Sequence, residues 1–177
     1  YKTSHKDAFK ELTFGDFKEM MDAMGTAMIH MGLKGAKIAV LGENSYRFAL
    51  SYFTTVCGVG TIVPIDKNLQ PEEIKHLLER ADVELVFTDS KSLGKLRAML
   101  DEVETLRYIS VMQETAFHDD DERIVSQDDI IDKGRELLMN DDYSYLSAHV
   151  KPDDMATILF TSGTTGLAKG VMLSHRN

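Results

Sequence analysis

Short apolar segments alternate with longer amphipathic segments along most of this 177-residue chain. Each apolar segment has the length and composition of a buried strand, and each amphipathic segment repeats its apolar residues at helical spacing. Strands that alternate with helices form β-α-β units, whose right-handed crossovers place helices on both faces of the sheet. The alternation therefore predicts an α/β fold: a layered, largely parallel sheet with helices on both faces.

Five strands and five helices are predicted from this pattern. The strands are 37–41, 61–65, 84–88, 107–112 and 155–160. The helices begin at Thr13, at Asn44 or Ser45, at Pro71, at Ser90 and at Gln127, and they end near residues 31, 58, 81, 102 and 139. Thr13 and Asp16 have the spacing of a capping box, and the methionine stripe that follows them favours core packing. The run 118–128 is the only long loop predicted.

The composition excludes several classes of protein. The chain carries 29 Asp and Glu against 20 Lys and Arg, and this net charge of −9 argues against nucleic acid or an anionic membrane surface as a partner. No run approaches the roughly 18 apolar residues of a transmembrane helix. Cys57 is the only cysteine, which excludes an internal disulfide and a cysteine zinc cluster, and it is predicted to be a buried small hydrophobe. No signal-peptide pattern begins the sequence, so a cytoplasmic location is predicted.

Acidic residues are concentrated in the segment 101–154, which holds 16 Asp and Glu against five Lys and Arg. The densest runs are His118–Glu122 and Asn140–Asp142. A metal site is one interpretation of such runs, but the glycine turn and the spacing of a calcium loop are missing. The favoured interpretation is a solvated surface loop, with no metal site.

The segment 161–170 differs from the rest of the chain because nearly all its residues are small, hydroxyl-bearing or basic. It lies between two apolar strands, 155–160 and 171–173. Glycines allow successive N–H groups to point the same way, and such a concave run of donors binds anions. Hydroxyl groups and a lysine supply further donors to phosphate. The predicted phosphate-binding residues are Thr161, Ser162, Gly163, Thr164, Thr165, Gly166, Lys169 and Gly170, with Arg176 expected beside them as a second positive charge.

Two widespread nucleotide-binding motifs are excluded. A Walker A loop counted from Gly163 would need its second glycine where Ala168 stands. The dinucleotide-binding pattern that Gly58 and Gly60 begin would need its third glycine at Val63. The remaining alternative to a phosphate site is a flexible surface loop rich in Gly and Thr.

The run Thr161–Gly170 resembles the phosphate-loop signature of the adenylate-forming superfamily, which includes acyl-CoA synthetases, peptide-synthetase adenylation domains and luciferases. The run Ser174–Asn177 also resembles the residues that these enzymes carry after the loop, and Val63–Leu69 is similar to long-chain fatty acyl-CoA ligases. Ala168 departs from the pattern, because the family usually has proline there. The resemblance implies that residues 1–177 are the N-terminal part of the large AMP-binding domain, truncated after the phosphate loop.

The resemblance also implies a two-step ligase reaction. A carboxylate attacks the α-phosphate of ATP to give an acyl-adenylate and pyrophosphate, and the thiol of coenzyme A then attacks the acyl group. ATP and Mg²⁺ are the implied cofactors, coenzyme A is the co-substrate, and a fatty acid is the favoured carboxylate. The loop would bind the β- and γ-phosphates, with Lys169 in a supporting role. The alternatives are an amino-acid-activating domain of a peptide synthetase and a non-catalytic phosphate-binding module.

A piece of such an enzyme is expected to lack a complete set of catalytic residues. We therefore expect the 177-residue chain to be inactive by itself. A truncated sheet would also leave apolar surface or an open strand edge uncovered, which predicts self-association.

Overall fold

A computed structural model describes residues 11–113, 117–161 and 168–177, with a seven-stranded β-sheet at its centre. The strands are β1 (Lys37–Leu41), β2 (Thr61–Pro64), β3 (Val83–Thr88), β4 (Tyr108–Val111), β5 (Ile124–Ser126), β6 (Met155–Thr161) and β7 (Lys169–Ser174). Their order across the sheet is β5-β4-β3-β1-β2-β6-β7. Every neighbouring pair from β5 to β6 is parallel, and the last pair, β6–β7, is antiparallel. The predicted largely parallel sheet is confirmed.

Helices cover both faces of the sheet, as the alternating pattern predicts. They are α1 (Phe14–His30), α2 (Tyr46–Thr54), α3 (Pro71–Arg80), α4 (Leu93–Leu96), α5 (Met99–Glu102) and α6 (Gln127–Met139). Apolar side chains of α1, α2 and α6 pack on one face against residues such as Ile38 and Phe87. Those of α3, α4 and α5 pack on the other face against residues such as Val63 and Ile109. The molecule therefore has one hydrophobic core on each side of the sheet.

Helix α1 begins and packs as its sequence predicts. The Thr13 side chain accepts a hydrogen bond from the backbone N–H of Asp16 (3.1 Å), and the Asp16 carboxylate accepts one from the N–H of Thr13 (2.9 Å). This is the reciprocal capping box, which satisfies donors that a helix N-terminus leaves free. Met24 and Met28 have no exposed surface. The methionine stripe therefore serves the core.

Two predicted segments differ from the structure in the elements they contain, and both contain short elements. The single helix expected over 90–102 is instead two short helices, α4 and α5. Hydrogen bonds to the third preceding residue connect them: the N–H of Leu100 donates to the Arg97 carbonyl, and that of Asp101 to the Ala98 carbonyl. The apolar spacing predicted helical structure here, but not the break between the two helices. The loop expected over 118–128 contains β5, whose three residues are too few to show the period of a strand.

The predicted burial of Cys57 is also wrong, since this side chain is exposed. Helix α2 buries Leu50 and Thr54, and a regular α-helix would bring that face back near residue 57. A π-helical turn over Thr55–Val59 shifts the phase instead, so that Thr55 and Val59 are the buried residues.

Acidic residues in the predicted solvated loop 118–128 form ion pairs with arginines. Both carboxylate oxygens of Asp119 accept from the Arg97 guanidinium, and the Asp119 side chain is only 4% exposed. Hydrogen bonds from the side chain and the backbone N–H of Arg123 lower the pKa of Asp121 from 3.8 to about 2. Across residues 11–113, 117–161 and 168–177, no group of three or more His, Cys, Asp or Glu side chains could hold a metal ion.

Candidate phosphate-binding site

The predicted phosphate loop connects two adjacent strands. Strand β6 pairs with β2 through Ile62 and Thr157, and it ends at Thr161. Thr161 is paired in antiparallel register with Lys169, the first residue of β7, and its hydroxyl lies 3.5 Å from the Lys169 carbonyl oxygen. Thr161, Lys169 and Gly170 are therefore brought together at one end of a hairpin. The other predicted phosphate ligands, Ser162, Gly163, Thr164, Thr165 and Gly166, lie outside the described residues.

The hairpin opens at the carboxyl edge of the parallel sheet. Because β1 to β6 are parallel, the ends of all six strands lie along the same edge as Thr161. Open α/β sheets bind their ligands outside the carboxyl ends of the strands. The Lys169 side chain is exposed at this edge. The location agrees with a binding role for the hairpin loop.

Arg80 contacts the hairpin loop from helix α3. Its Nη1 donates a hydrogen bond of 2.7 Å to the carbonyl oxygen of Ala168, the residue immediately before Lys169. Ala168 is half-buried and packs against the core on the α3 face of the sheet. Sequence reasoning missed Arg80, since a basic residue in the last turn of a helix is an ordinary complement to the helix dipole.

A pocket of 260 Å³ lies between the loops that follow β1 and β2, at the carboxyl edge of the sheet. Glu43 from the first loop and Lys67 from the second form an ion pair across it. Lys95 Nζ contacts the carbonyl oxygens of Lys67 and Leu69, at 3.1 and 3.4 Å, and so ties the second loop to helix α4. Glu43 and Lys67 place one charge of each sign at the same sheet edge as Thr161.

The crevice between β1 and β3 is occupied by a side chain of the protein itself. Here the strand order changes direction, and doubly wound sheets commonly bind ligands at such a point. The Asp89 carboxylate accepts from the backbone N–H of Glu43 (3.0 Å) and from that of Ser92 (2.8 Å). Sequence reasoning missed Asp89 because it is an isolated acid in a turn.

The expected position of Arg176 beside the phosphate loop is wrong. Arg176 follows the far end of β7, and a strand of six residues is roughly 20 Å long. The Arg176 guanidinium pairs there with Asp153, at 2.8 and 3.2 Å. Proximity in sequence suggested proximity in space, but an extended strand separates residues more than any other regular structure. Lys169 is therefore the one predicted cation that the described residues place at the hairpin loop.

Residues 2–177 match the family described as AMP-binding enzyme. The chain belongs to this family. The AMP-binding family contains the adenylate-forming enzymes whose signature the hairpin loop resembles, so the resemblance is confirmed. Within the described part of the chain, no helix is both long enough and apolar enough to cross a membrane.

The curated relatives of this AMP-binding chain include several kinds of synthetase. Long chain acyl-CoA synthetase 6, peroxisomal, from Arabidopsis thaliana is 26% identical over 176 residues, which are 96% of this chain and 24% of that protein. Tyrocidine synthase 2 from Brevibacillus parabrevis is 27% identical over 168 residues, which are 94% of this chain and 4% of that protein. The chain thus spans a quarter or less of these two relatives.

Solved structures of ligases share the fold. An anthranilate CoA ligase in complex with anthranoyl-AMP has a TM-score of 0.78 at 22% identity, over 94% of this chain and 30% of that chain. A long-chain-fatty-acid-CoA ligase from Archaeoglobus fulgidus has a TM-score of 0.75 at 20% identity, over 97% and 32%. These likenesses confirm the layered α/β fold class that the sequence predicts.

Proposed function

We propose that this chain supplies the phosphate-binding part of an ATP-dependent, AMP-forming ligase that activates a carboxylate. In this proposal residues 1–177 are the N-terminal part of the large AMP-binding domain, truncated after the loop 161–170. The chain belongs to the AMP-binding family. The observation that carries the proposal is its β6–β7 hairpin, which opens at the carboxyl edge of the sheet with Lys169 exposed. The share of the relatives that the chain spans supports a partial role, since their other three quarters are outside it.

The first chemical step is attack of a carboxylate oxygen on the α-phosphorus of ATP. The bond from that phosphorus to the bridging oxygen breaks, and pyrophosphate leaves with the electron pair. Hydroxyl and backbone N–H donors of 161–170 would hold the β- and γ-phosphates and stabilise the charge that develops on them. Lys169 would follow that charge as a mobile cation. In the second step the thiolate sulfur of coenzyme A attacks the acyl carbon, the bond from that carbon to the phosphate oxygen breaks, and AMP leaves with the electron pair.

Mg²⁺ fits this site only together with the nucleotide. The described residues contain no cluster of carboxylates for it, and Mg²⁺ in nucleotide sites keeps several waters and binds phosphate oxygens. When bound, it would neutralise charge on the phosphates. From this chain, Thr161 and Lys169 would contribute donors to those phosphates, and coenzyme A enters as the co-substrate of the whole enzyme.

A fatty acid is the carboxylate we propose. The support comes from a plant relative named as a long chain acyl-CoA synthetase and a mouse relative named as a long-chain-fatty-acid–CoA ligase. The second candidate is an amino-acid-activating domain of a peptide synthetase, and the similarity to Tyrocidine synthase 2 supports it. A non-catalytic phosphate-binding module is the third. ATP–pyrophosphate exchange with fatty acids, with amino acids and with no acid separates the three.

The test uses the complete ligase that contains this chain, with Lys169→Ala as the variant. We expect the KM for ATP to rise about ten- to a hundredfold, since a charge-assisted hydrogen bond to phosphate contributes roughly 1.5–3 kcal/mol. Lys133→Ala is the control, because Lys133 pairs with Glu136 on the exposed face of helix α6. An unchanged KM for ATP in the Lys169 variant would remove Lys169 from the site, and acyl-adenylate formation by residues 1–177 alone would overturn the proposed truncation.

Two further predictions accompany this proposal. A cytoplasmic location stays a prediction, and two plant relatives are named as peroxisomal. Self-association also stays a prediction. Its structural support is the edge strand β7, where Val171 and Met172 are 43% and 66% exposed.

A further inference from the structure

We propose that Arg80 is a positioning residue for the phosphate loop. Its guanidinium donates a hydrogen bond to the Ala168 carbonyl oxygen and so fixes the backbone immediately before Lys169. The inference rests on the proposed function, because it concerns how the loop is prepared for ATP.

The contact joins two parts of the chain that are 88 residues apart. Arg80 is the last residue of α3, and its Nη1 lies 2.7 Å from the Ala168 oxygen. Ala168 also packs against the core on the α3 face, so its backbone and its side chain are both held. The next residue, Lys169, is held by its register with Thr161. Both ends of the loop are therefore attached to the sheet, and Arg80 attaches the second end to a helix as well.

The physical consequence concerns conformational entropy more than overall stability. Arg80 is exposed, and substitutions at exposed positions usually change the free energy of unfolding very little. Because the residue before Lys169 is already held, Lys169 loses less conformational freedom when it binds phosphate. Loss of Arg80 should therefore weaken ATP binding without weakening the fold.

A positioning role differs from direct contact between Arg80 and the nucleotide. If Arg80 acts through residue 168, then a proline at 168 should replace part of its effect, since proline fixes φ and keeps the carbonyl acceptor. If Arg80 instead bound phosphate by its charge, proline at 168 would restore nothing. Arg80→Lys preserves the charge and a single donor, so it should keep more of the function than Arg80→Ala.

The experiment compares Arg80→Ala, Arg80→Lys and the double variant Arg80→Ala/Ala168→Pro in the complete ligase. Lys75→Ala is the matched control, because it removes a cation from the same helix, where Lys75 pairs with Glu102. We expect Arg80→Ala to raise the KM for ATP about fivefold, as the loss of one hydrogen bond does. The KM for the carboxylate and the melting temperature should not change, and the double variant should recover most of the loss.

Hydrogen exchange of the amides of residues 168–170 provides a second measurement that needs no catalysis. Without nucleotide, Arg80→Ala should accelerate exchange about fivefold, whereas Lys75→Ala should leave it unchanged. Unchanged exchange and an unchanged KM for ATP would overturn the inference, as would a double variant that recovers nothing. If the enzyme showed no ATP–pyrophosphate exchange with any acid, only the proposed function would be overturned. The hydrogen-exchange measurement would still test the role of Arg80.

Discussion

The Arg47 guanidinium donates two hydrogen bonds to the Asp128 carboxylate, at 2.8 and 2.9 Å, and so joins the first turns of α2 and α6. Arg47 Nη1 also donates to the Gln127 side-chain oxygen (3.0 Å), and the Gln127 amide donates back to the Arg47 carbonyl (3.1 Å) and to Ser51 Oγ (2.8 Å). The Arg47 side chain is 9% exposed, and Gln127 is fully buried. This polar network lies in the core on the α1 side of the sheet.

Replacement of Arg47 should therefore destabilise the protein. Arg47→Ala leaves a buried amide oxygen and a half-exposed carboxylate without this donor, and we expect a loss of about 2 kcal/mol in the free energy of unfolding. Urea unfolding followed by circular dichroism measures it. Lys133→Ala breaks an exposed pair with Glu136 and should cost less than about 0.5 kcal/mol. Equal losses in the two variants would contradict the structural role of Arg47.

Gly134 allows helix α6 to approach helix α1 closely. A Cβ at this position would lie 1.7 Å from the backbone oxygen of Ala23, so the two helices would have to separate. We expect Gly134→Ala to destabilise the protein by about 3 kcal/mol, in the range of severe overpacking. Gly94→Ala is the control within a helix, because a Cβ there meets nothing within 4 Å. It should stabilise the protein by about 0.5 kcal/mol, and thermal unfolding of both variants would show opposite shifts.

The Tyr145 side chain is buried in the core on the α1 side of the sheet, next to the π-helical turn. Its hydroxyl donates to the Thr54 carbonyl oxygen at 3.0 Å, and burial raises the pKa of its phenol. Tyr145→Phe removes the donor alone and should cost about 1 kcal/mol, whereas Tyr145→Ala also opens a cavity and should cost about 4 kcal/mol. Tyr143→Phe is the control, since this half-exposed hydroxyl bonds Asp141 at the surface. Chemical unfolding in which Tyr145→Phe and Tyr143→Phe cost the same would argue against the buried hydrogen bond.

Asp121 should make the stability depend on pH in the acid range. Its pKa is lowered to about 2 in the folded protein by Arg123, against an ordinary value of 3.8 in the unfolded chain. The stabilisation is therefore complete above pH 3.8 and is lost as the pH falls toward about 2. Asp121→Asn should be less stable than the parent at pH 5, and the difference should shrink as the pH falls. Asp132→Asn controls for the loss of one acidic charge, and a difference that grows on acidification would refute the assignment.

Local patterns made much of the fold predictable. The capping box at Thr13 involves two residues three positions apart, and the methionine stripe of α1 reflects a helical period, so both can be read within a few turns. Strand β1 was predicted at its observed bounds for the same reason. Strand β5 was missed because three residues carry no period, and the phase shift at Thr55–Val59 was missed because nothing local marks a π-helical turn.

The sequence by itself determined that the chain alternates strands with helices, and it predicts an anion-binding loop at 161–170. Tertiary structure decided which residues surround that loop. The contact of Arg80 with Ala168 and the Asp89 carboxylate in the β1–β3 crevice depend on the order of strands in the sheet, and Arg176 was carried to the opposite edge by β7. Local hydrogen bonding and periodic burial act over a few residues, whereas these contacts exist only after distant strands have paired.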